Sequence, residues 1–122
     1  MAAINFLSAE IQTGKIRSEN LQAAFAALNE DGYVILNELV SREHAAVLRD
    51  RMLEDTERIL ERKDVPFNFN VGNIQQDPPP FPPYLFLDVL VNDIIIEITH
   101  AVLGNGLKNS FYSGNTALPG KG

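Results

Sequence analysis

The chain has 122 residues, 45% of them hydrophobic and 21% charged, the balance of one globular domain rather than a disordered tail. Its net charge of −6, with Lys and Arg interleaved among carboxylates, gives no basic face or stripe and argues against nucleic acid as a partner. Without cysteine there is no disulfide framework, thiolate zinc site or cysteine nucleophile, and the expected compartment is the reducing cytoplasm.

Residues 1–17 are weakly periodic and read as an N-terminal arm whose docking the sequence leaves open. They lack the charged start and long apolar run of a secretory signal. Ser18 is the expected N-cap of a helix over 19–29, with Leu21, Phe25 and Leu28 spaced at i, i+4 and i+7 on its inner face. Asp31-Gly32 ends that helix, and Tyr33-Val34-Ile35-Leu36 follows as a short strand.

Ser41 is the expected cap of a second helix, over about 42–62, with Ala45, Leu48, Met52, Ile59 and Leu60 turned inward. The opposite face, including Arg49, Arg51, Asp55 and Arg58, mixes charges at i+3 and i+4 spacing and reads as a solvated surface. Residues 18–62 are thus a helix-strand-helix segment. From 63 to 83 periodicity is lost and a proline-rich loop is expected. A loop this long that carries Phe67, Phe69 and Phe81 is expected to be ordered and close to a site. Its proline run lacks the adjacent Lys or Arg of a polyproline ligand for an SH3-like partner.

Residues 84–122 are expected to form two helices and a strand. The first helix covers 84–90. Asn92 caps the second, which ends near Leu103 with Gly104 as a left-handed stop and Val91, Ile94, Ile95, Ile98 and Val102 as its buried stripe. That apolar cluster is broken by Asn92, Asp93 and Glu97 and is too short to span a membrane. A strand is expected over 107–112, followed by a Gly/Asn/Pro corner over 113–120.

Searches for catalytic motifs return little. No serine stands in a Gly-x-Ser-x-Gly elbow, and Gly114 to Gly120-Lys121 has five intervening residues where a phosphate-binding loop has four. Asp93, Glu97 and His100 share a helix face, and Glu97 and His100 have the Glu-x-x-His spacing of di-iron bundles. Such a site needs a second copy that the chain lacks, so a solvated face complementing the helix dipole is the preferred reading. His44 reads as an exposed polar residue in the first turn of its helix.

The order of elements, with the segments 25–40 (containing Asp31-Gly32-Tyr33-Val34-Ile35-Leu36), 75–90 and 109–120, resembles the phytanoyl-CoA dioxygenase family of non-haem Fe(II)- and 2-oxoglutarate-dependent oxygenases. The resemblance implies an α+β chain holding the N-terminal helical segment and first strands of a double-stranded β-helix, or jelly roll, in a single partial domain. It also implies a His-x-Asp pair shortly after a strand and corner like 111–120, and a second histidine far downstream, which together hold iron on one face. Neither His44-Ala45-Ala46 nor His100-Ala101-Val102 is such a pair, so no metal ligand is expected in the chain. The triad, and the arginine that binds the cosubstrate, are expected beyond Gly122.

The resemblance therefore implies an N-terminal fragment that is inactive alone, with no catalytic residue of its own. Fe(II), 2-oxoglutarate and a small-molecule substrate belong to the full-length parent. Substrate-side candidates within the chain are Asn70, Gln75 and Gln76 in the loop and Tyr112, Asn115 and Thr116 near the corner. The alternative is a metal-free binding module acting through residues 67–86 on a small molecule or protein. Oligomeric state is left open.

Overall fold

The computed structural model describes residues 3–66 and 69–120. Phe67, which belongs to the expected loop, and Lys121 and Gly122 beyond the corner lie outside the described residues. In chain order the elements are β1 (Ala3–Ile4), α1 (Ser8–Thr13), α2 (Ser18–Asp31), β2 (Ile35–Leu36), α3 (Arg42–Leu60), β3 (Asn73–Gln75), α4 (Leu87–Leu90), α5 (Asp93–Leu103) and β4 (Asn115–Ala117). This is an α+β chain whose described strands form two separate two-stranded sheets. No described helix is long and apolar enough to cross a membrane. The chain divides into two compact units, Met1–Arg42 with Phe86–Lys108, and Glu43–Leu85 with Asn109–Gly122.

In the first unit the N-terminal arm is docked. β1 pairs in parallel with β2, Ala3 opposite Ile35 and Ile4 opposite Leu36, and the Asn37 N–H donates to the Ile4 carbonyl at 2.9 Å. Ile4 thereby joins Ala24, Leu39, Ile94 and Ile98 in the core. α2 buries Ala24 and Ala27, whereas Phe25, assigned inward from its spacing, is exposed. A residue next to Ala24 points about 100° away around the helix, and α2 approaches α5 along the small-residue side.

The α2 N-cap is Arg17 rather than Ser18: its carbonyl accepts from Leu21 N–H at 3.0 Å and no side chain caps the end. Glu10 fixes this start from outside the helix. Its buried carboxylate accepts from the N–H groups of Leu7 (2.9 Å) and Arg17 (2.8 Å), the Asn20 amide and Arg17 Nε. The strongest of these influences, the Arg17 N–H, outweighs burial and holds the carboxyl at about 2. At the other end Gly32, in the left-handed conformation, terminates α2 as expected.

Asn92 caps α5 as expected, its Oδ1 accepting from Ile94 N–H at 3.1 Å and Ile95 N–H at 3.3 Å. The buried stripe of α5 is narrower than its sequence suggests. Ile94 and Ile98 are buried, but Val91, Ile95 and Val102 are exposed because one neighbouring helix covers only part of the apolar arc. Gly104 has φ +79° and ψ −162°, a glycine-only extended conformation instead of the left-handed stop. α4 covers only the last turn of the expected 84–90 helix.

Gly14, at φ +67°, ends α1 where a Cβ would lie 2.7 Å from Asp93 Oδ2. Gly14→Ala is expected to cost about 2 kcal/mol or more, from the left-handed backbone and the clash together. Asp93→Gly in the same chain should recover the clash component only. Urea denaturation of the three proteins checks this, and equal stability of Gly14→Ala and the parent would contradict it.

In the second unit β3 runs antiparallel to β4 in the register Asn73–Ala117, Ile74–Thr116 and Gln75–Asn115. Bonds from Gln76 N–H to the Gly114 carbonyl (2.8 Å) and from Leu118 N–H to the Gly72 carbonyl (3.0 Å) extend the ladder at both ends. The strand expected over 107–112 is not formed. It falls instead inside the expected corner, because Asn115–Ala117 is the stretch that finds a partner ladder, and the partner β3 lies inside the expected loop. On β3 the side chains alternate, with Gly72, Ile74 and Gln76 buried and Asn73, Gln75 and Asp77 exposed.

α3 packs by Thr56, which is buried, with Leu48, Met52 and Ile59 half-buried, while Ala45 and Leu60 are exposed. Arg51 and Asp55, read as part of a solvated face, are only 21% and 24% exposed as an ion pair at 2.9 Å. The Arg51 guanidinium stands 5.6 Å from the Phe81 ring centroid and 5.2 Å from that of Tyr84, and those rings meet edge to face at 5.7 Å. The bond to Asp55 first, then that to the Tyr84 hydroxyl, raises Arg51 further above its ordinary value. Phe81 of the proline-rich loop and Tyr84 just after it are thus seated on Arg51, while Arg49 and Arg58 of that face are exposed, as their spacing suggests.

Candidate functional site

The outer face of the β3–β4 pair and the end of α3 enclose a groove of about 470 Å³ within the second unit. That volume lies in the roughly 300–1,000 Å³ range of small-molecule sites. Cross-strand register sets Gln75 opposite Asn115, so both carboxamides stand on the exposed face. Asn73 and Asp77 join them by the period of two along β3. Asn70 sits at the rim, where its Oδ1 accepts from Gly72 N–H at 2.8 Å and its carbonyl from Asn73 N–H at 3.2 Å, a local turn that starts β3.

The remaining wall comes from Ile59, Pro66 and Phe69, with Arg62 on the α3 side. Arg62 bonds Asp64 through Nε and Nη2 at 3.1–3.4 Å, and this holds the Asp64 carboxyl below its ordinary value. A smaller hollow of about 340 Å³ shares Gln75 and Asn115 and is lined besides by Phe111, Ser113 and Gly114.

Gln76 and Thr116 point the other way. Gln76 Oε1 accepts from Thr56 Oγ1 at 2.9 Å and from Thr116 Oγ1 at 2.7 Å, while its Nε2 donates to the Met52 carbonyl at 2.6 Å. The Met52 carbonyl can only accept, so it fixes the amide with Nε2 toward Met52 and Oε1 toward the two hydroxyls; Thr56 Oγ1 also lies 2.8 Å from that carbonyl. Gln76 is 3% exposed, and these partners occupy both ends of its side chain. Tyr112 is half-buried, and burial raises its phenol above the ordinary value.

Of the six substrate-side candidates, the structure brings Asn70, Gln75 and Asn115 together in the groove. It places Gln76 and Thr116 in a buried hydrogen-bond knot and Tyr112 apart from the groove lining. Arg62, Asn73 and Asp77 line the groove without having been selected from sequence. The alternation of Asn73, Gln75 and Asp77 was a signal for two of them, hidden by reading that stretch as loop.

The helical acid-histidine stripe is engaged locally. Glu97 Oε2 accepts from Ile16 N–H at 3.4 Å, and a His100 ring nitrogen lies 2.9 Å from Asn105 Oδ1. Among the described residues no three His, Cys, Asp or Glu side chains converge as a metal-holding group. No protein-family model matches the chain.

Proposed function

We propose that this chain is the N-terminal portion of an Fe(II)- and 2-oxoglutarate-dependent oxygenase resembling phytanoyl-CoA dioxygenase. In this reading β3 and β4 belong to the start of its jelly roll, and the groove is part of its substrate side, working in the cytoplasm. The supporting observation is the convergence of two segments about 40 residues apart, which sets Gln75 against Asn115 on one groove with Asn70. As the family resemblance implies, the reading assigns the metal ligands and the cosubstrate-binding arginine to a later part of the full-length protein. The chain by itself is then inactive as an oxygenase, and its residues bind and orient substrate.

Coding DNA beyond the Gly122 codon tests the proposal. It is expected to encode a His-x-Asp pair soon after, in frame or across a frameshift, with another histidine far downstream. Unrelated sequence there sinks the reading. The same groove also favours a metal-free module binding through residues 67–86. Conversion of 2-oxoglutarate to succinate by the extended protein supports the oxygenase, whereas ligand binding without any downstream triad supports the module.

A further inference from the structure

The turn after α5 brings a carboxamide, an imidazole and an open backbone amide together. Asn105 is the only asparagine of the chain followed by glycine, and it stands between Gly104 at φ +79° and Gly106 at φ +86°. Asn105 and Gly106 are both exposed, and nothing outside the adjoining residues lies within 4 Å of where a Gly106 Cβ would stand. Among the described residues the Gly106 N–H makes no hydrogen bond. Asn105 Oδ1 lies 2.9 Å from Nε2 of His100, in the last turn of α5. A carbonyl oxygen only accepts, so that ring nitrogen carries a proton and donates it.

From this we infer that Asn105 is a self-modifying site, deamidated by attack of the Gly106 nitrogen on its Cγ with His100 as the catalytic donor. The N–Cγ bond forms as that nitrogen gives its proton to water, and negative charge builds on Oδ1. His100 Nε2–H already bonds the oxygen that takes the charge, the role of an oxyanion-hole donor. The Cγ–Nδ2 bond then breaks, Nδ2 takes up a proton and leaves as ammonia, and a cyclic succinimide remains. Water opens either carbonyl of that ring, so the residue becomes aspartate or isoaspartate with no oxidant or cofactor. Glycine at 106 matters because no Cβ crowds the attacking nitrogen and the backbone is free to turn toward the side chain. Every other asparagine precedes a residue with a side chain. The inference goes beyond the oxygenase reading and does not depend on it.

Incubation of the full chain near neutral pH, followed over time by peptide mass mapping and an isoaspartyl methyltransferase assay, tests it. Conversion is expected first at Asn105, ahead of Asn109, whose neighbour Ser110 is also small but whose Oδ1 accepts only from Phe111 N–H, at 3.4 Å. His100→Phe should slow the Asn105 reaction about three- to tenfold, the worth of one hydrogen bond to the developing charge. His100→Gln keeps an N–H donor and should lose less. In urea the imidazole is no longer held, so the parent and His100→Phe rates should converge, with the folded parent faster than the unfolded one. Equal rates in folded parent and His100→Phe, conversion led by another asparagine, or a parent that reacts more slowly folded than in urea would overturn the inference. If His100→Phe fails to fold, the folded-against-urea comparison on the unaltered chain still decides. Failure here leaves the DNA test of the oxygenase reading untouched.

Discussion

Gln76→Leu is expected to destabilise the second unit by about 1–3 kcal/mol, because it removes every hydrogen bond of a buried carboxamide at once. The Thr116 hydroxyl loses its acceptor and the Met52 carbonyl loses the amide donor, while Thr56 Oγ1, which also lies 2.8 Å from the Met52 carbonyl, keeps that bond. Leucine fills much of the same volume, so the cost is one of polar satisfaction rather than of a cavity. Thr116→Val removes a single donor and leaves Gln76 Oε1 bonded to Thr56, for an expected loss of about 1 kcal/mol. Gln76→Glu should resemble the leucine variant, since a carboxylate oxygen would face the Met52 carbonyl. Denaturant titration with hydrogen exchange over α3 and β3 measures all three. A Gln76→Leu protein within about 0.5 kcal/mol of the parent would refute the structural assignment and return Gln76 to the substrate-side candidates.

Glu10→Gln is expected to change how the first unit responds to acid. Folding lowers the Glu10 carboxyl from 4.5 to about 2, chiefly through the Arg17 N–H. A lowered carboxylate contributes stability that is fully present above the unfolded value and is lost as pH falls from about 4.5 through about 2. The neutral amide keeps the shape and removes both the charge assistance and one acceptor. The melting temperature at pH 7 should therefore fall by about 5–10 °C, and the acid dependence between pH 4.5 and 2 should flatten. Glu19→Gln, on the exposed first turn of α2, should leave the melting temperature within about 2 °C. Unchanged acid dependence in Glu10→Gln would show that the clasp joining Leu7, Arg17 and Asn20 does not set it.

Local chemistry made several features legible in the sequence. Asn92 capping α5 and Gly32 ending α2 need only the residues within one turn of them. The extents of α2, α3 and α5 likewise follow from apolar periodicity and propensity. The site was partly legible for the same reason: Asn70, Gln75 and Asn115 are polar residues beside turn signals. Their meeting in one groove was not, because it depends on a ladder between segments far apart in sequence.

The burial of each helix face, the partners of each strand and the role of each polar candidate were decided by tertiary structure. Ala24 rather than Phe25 faces the core because α5 approaches α2 along its small residues. Arg51 is half-buried against the rings of Phe81 and Tyr84, a contact that periodicity cannot encode. The residues 3–4, weak as a local signal, become a strand only against Ile35–Leu36. Gln75 and Gln76 are neighbours of the same type, yet the pleat sends one to the groove and the other to a buried knot. By itself the sequence determined the three longer helices, the Gly32 and Asn92 caps and an acidic, cysteine-free chain. Strand register and sidedness, which need non-local backbone pairing, determined what its polar residues can reach.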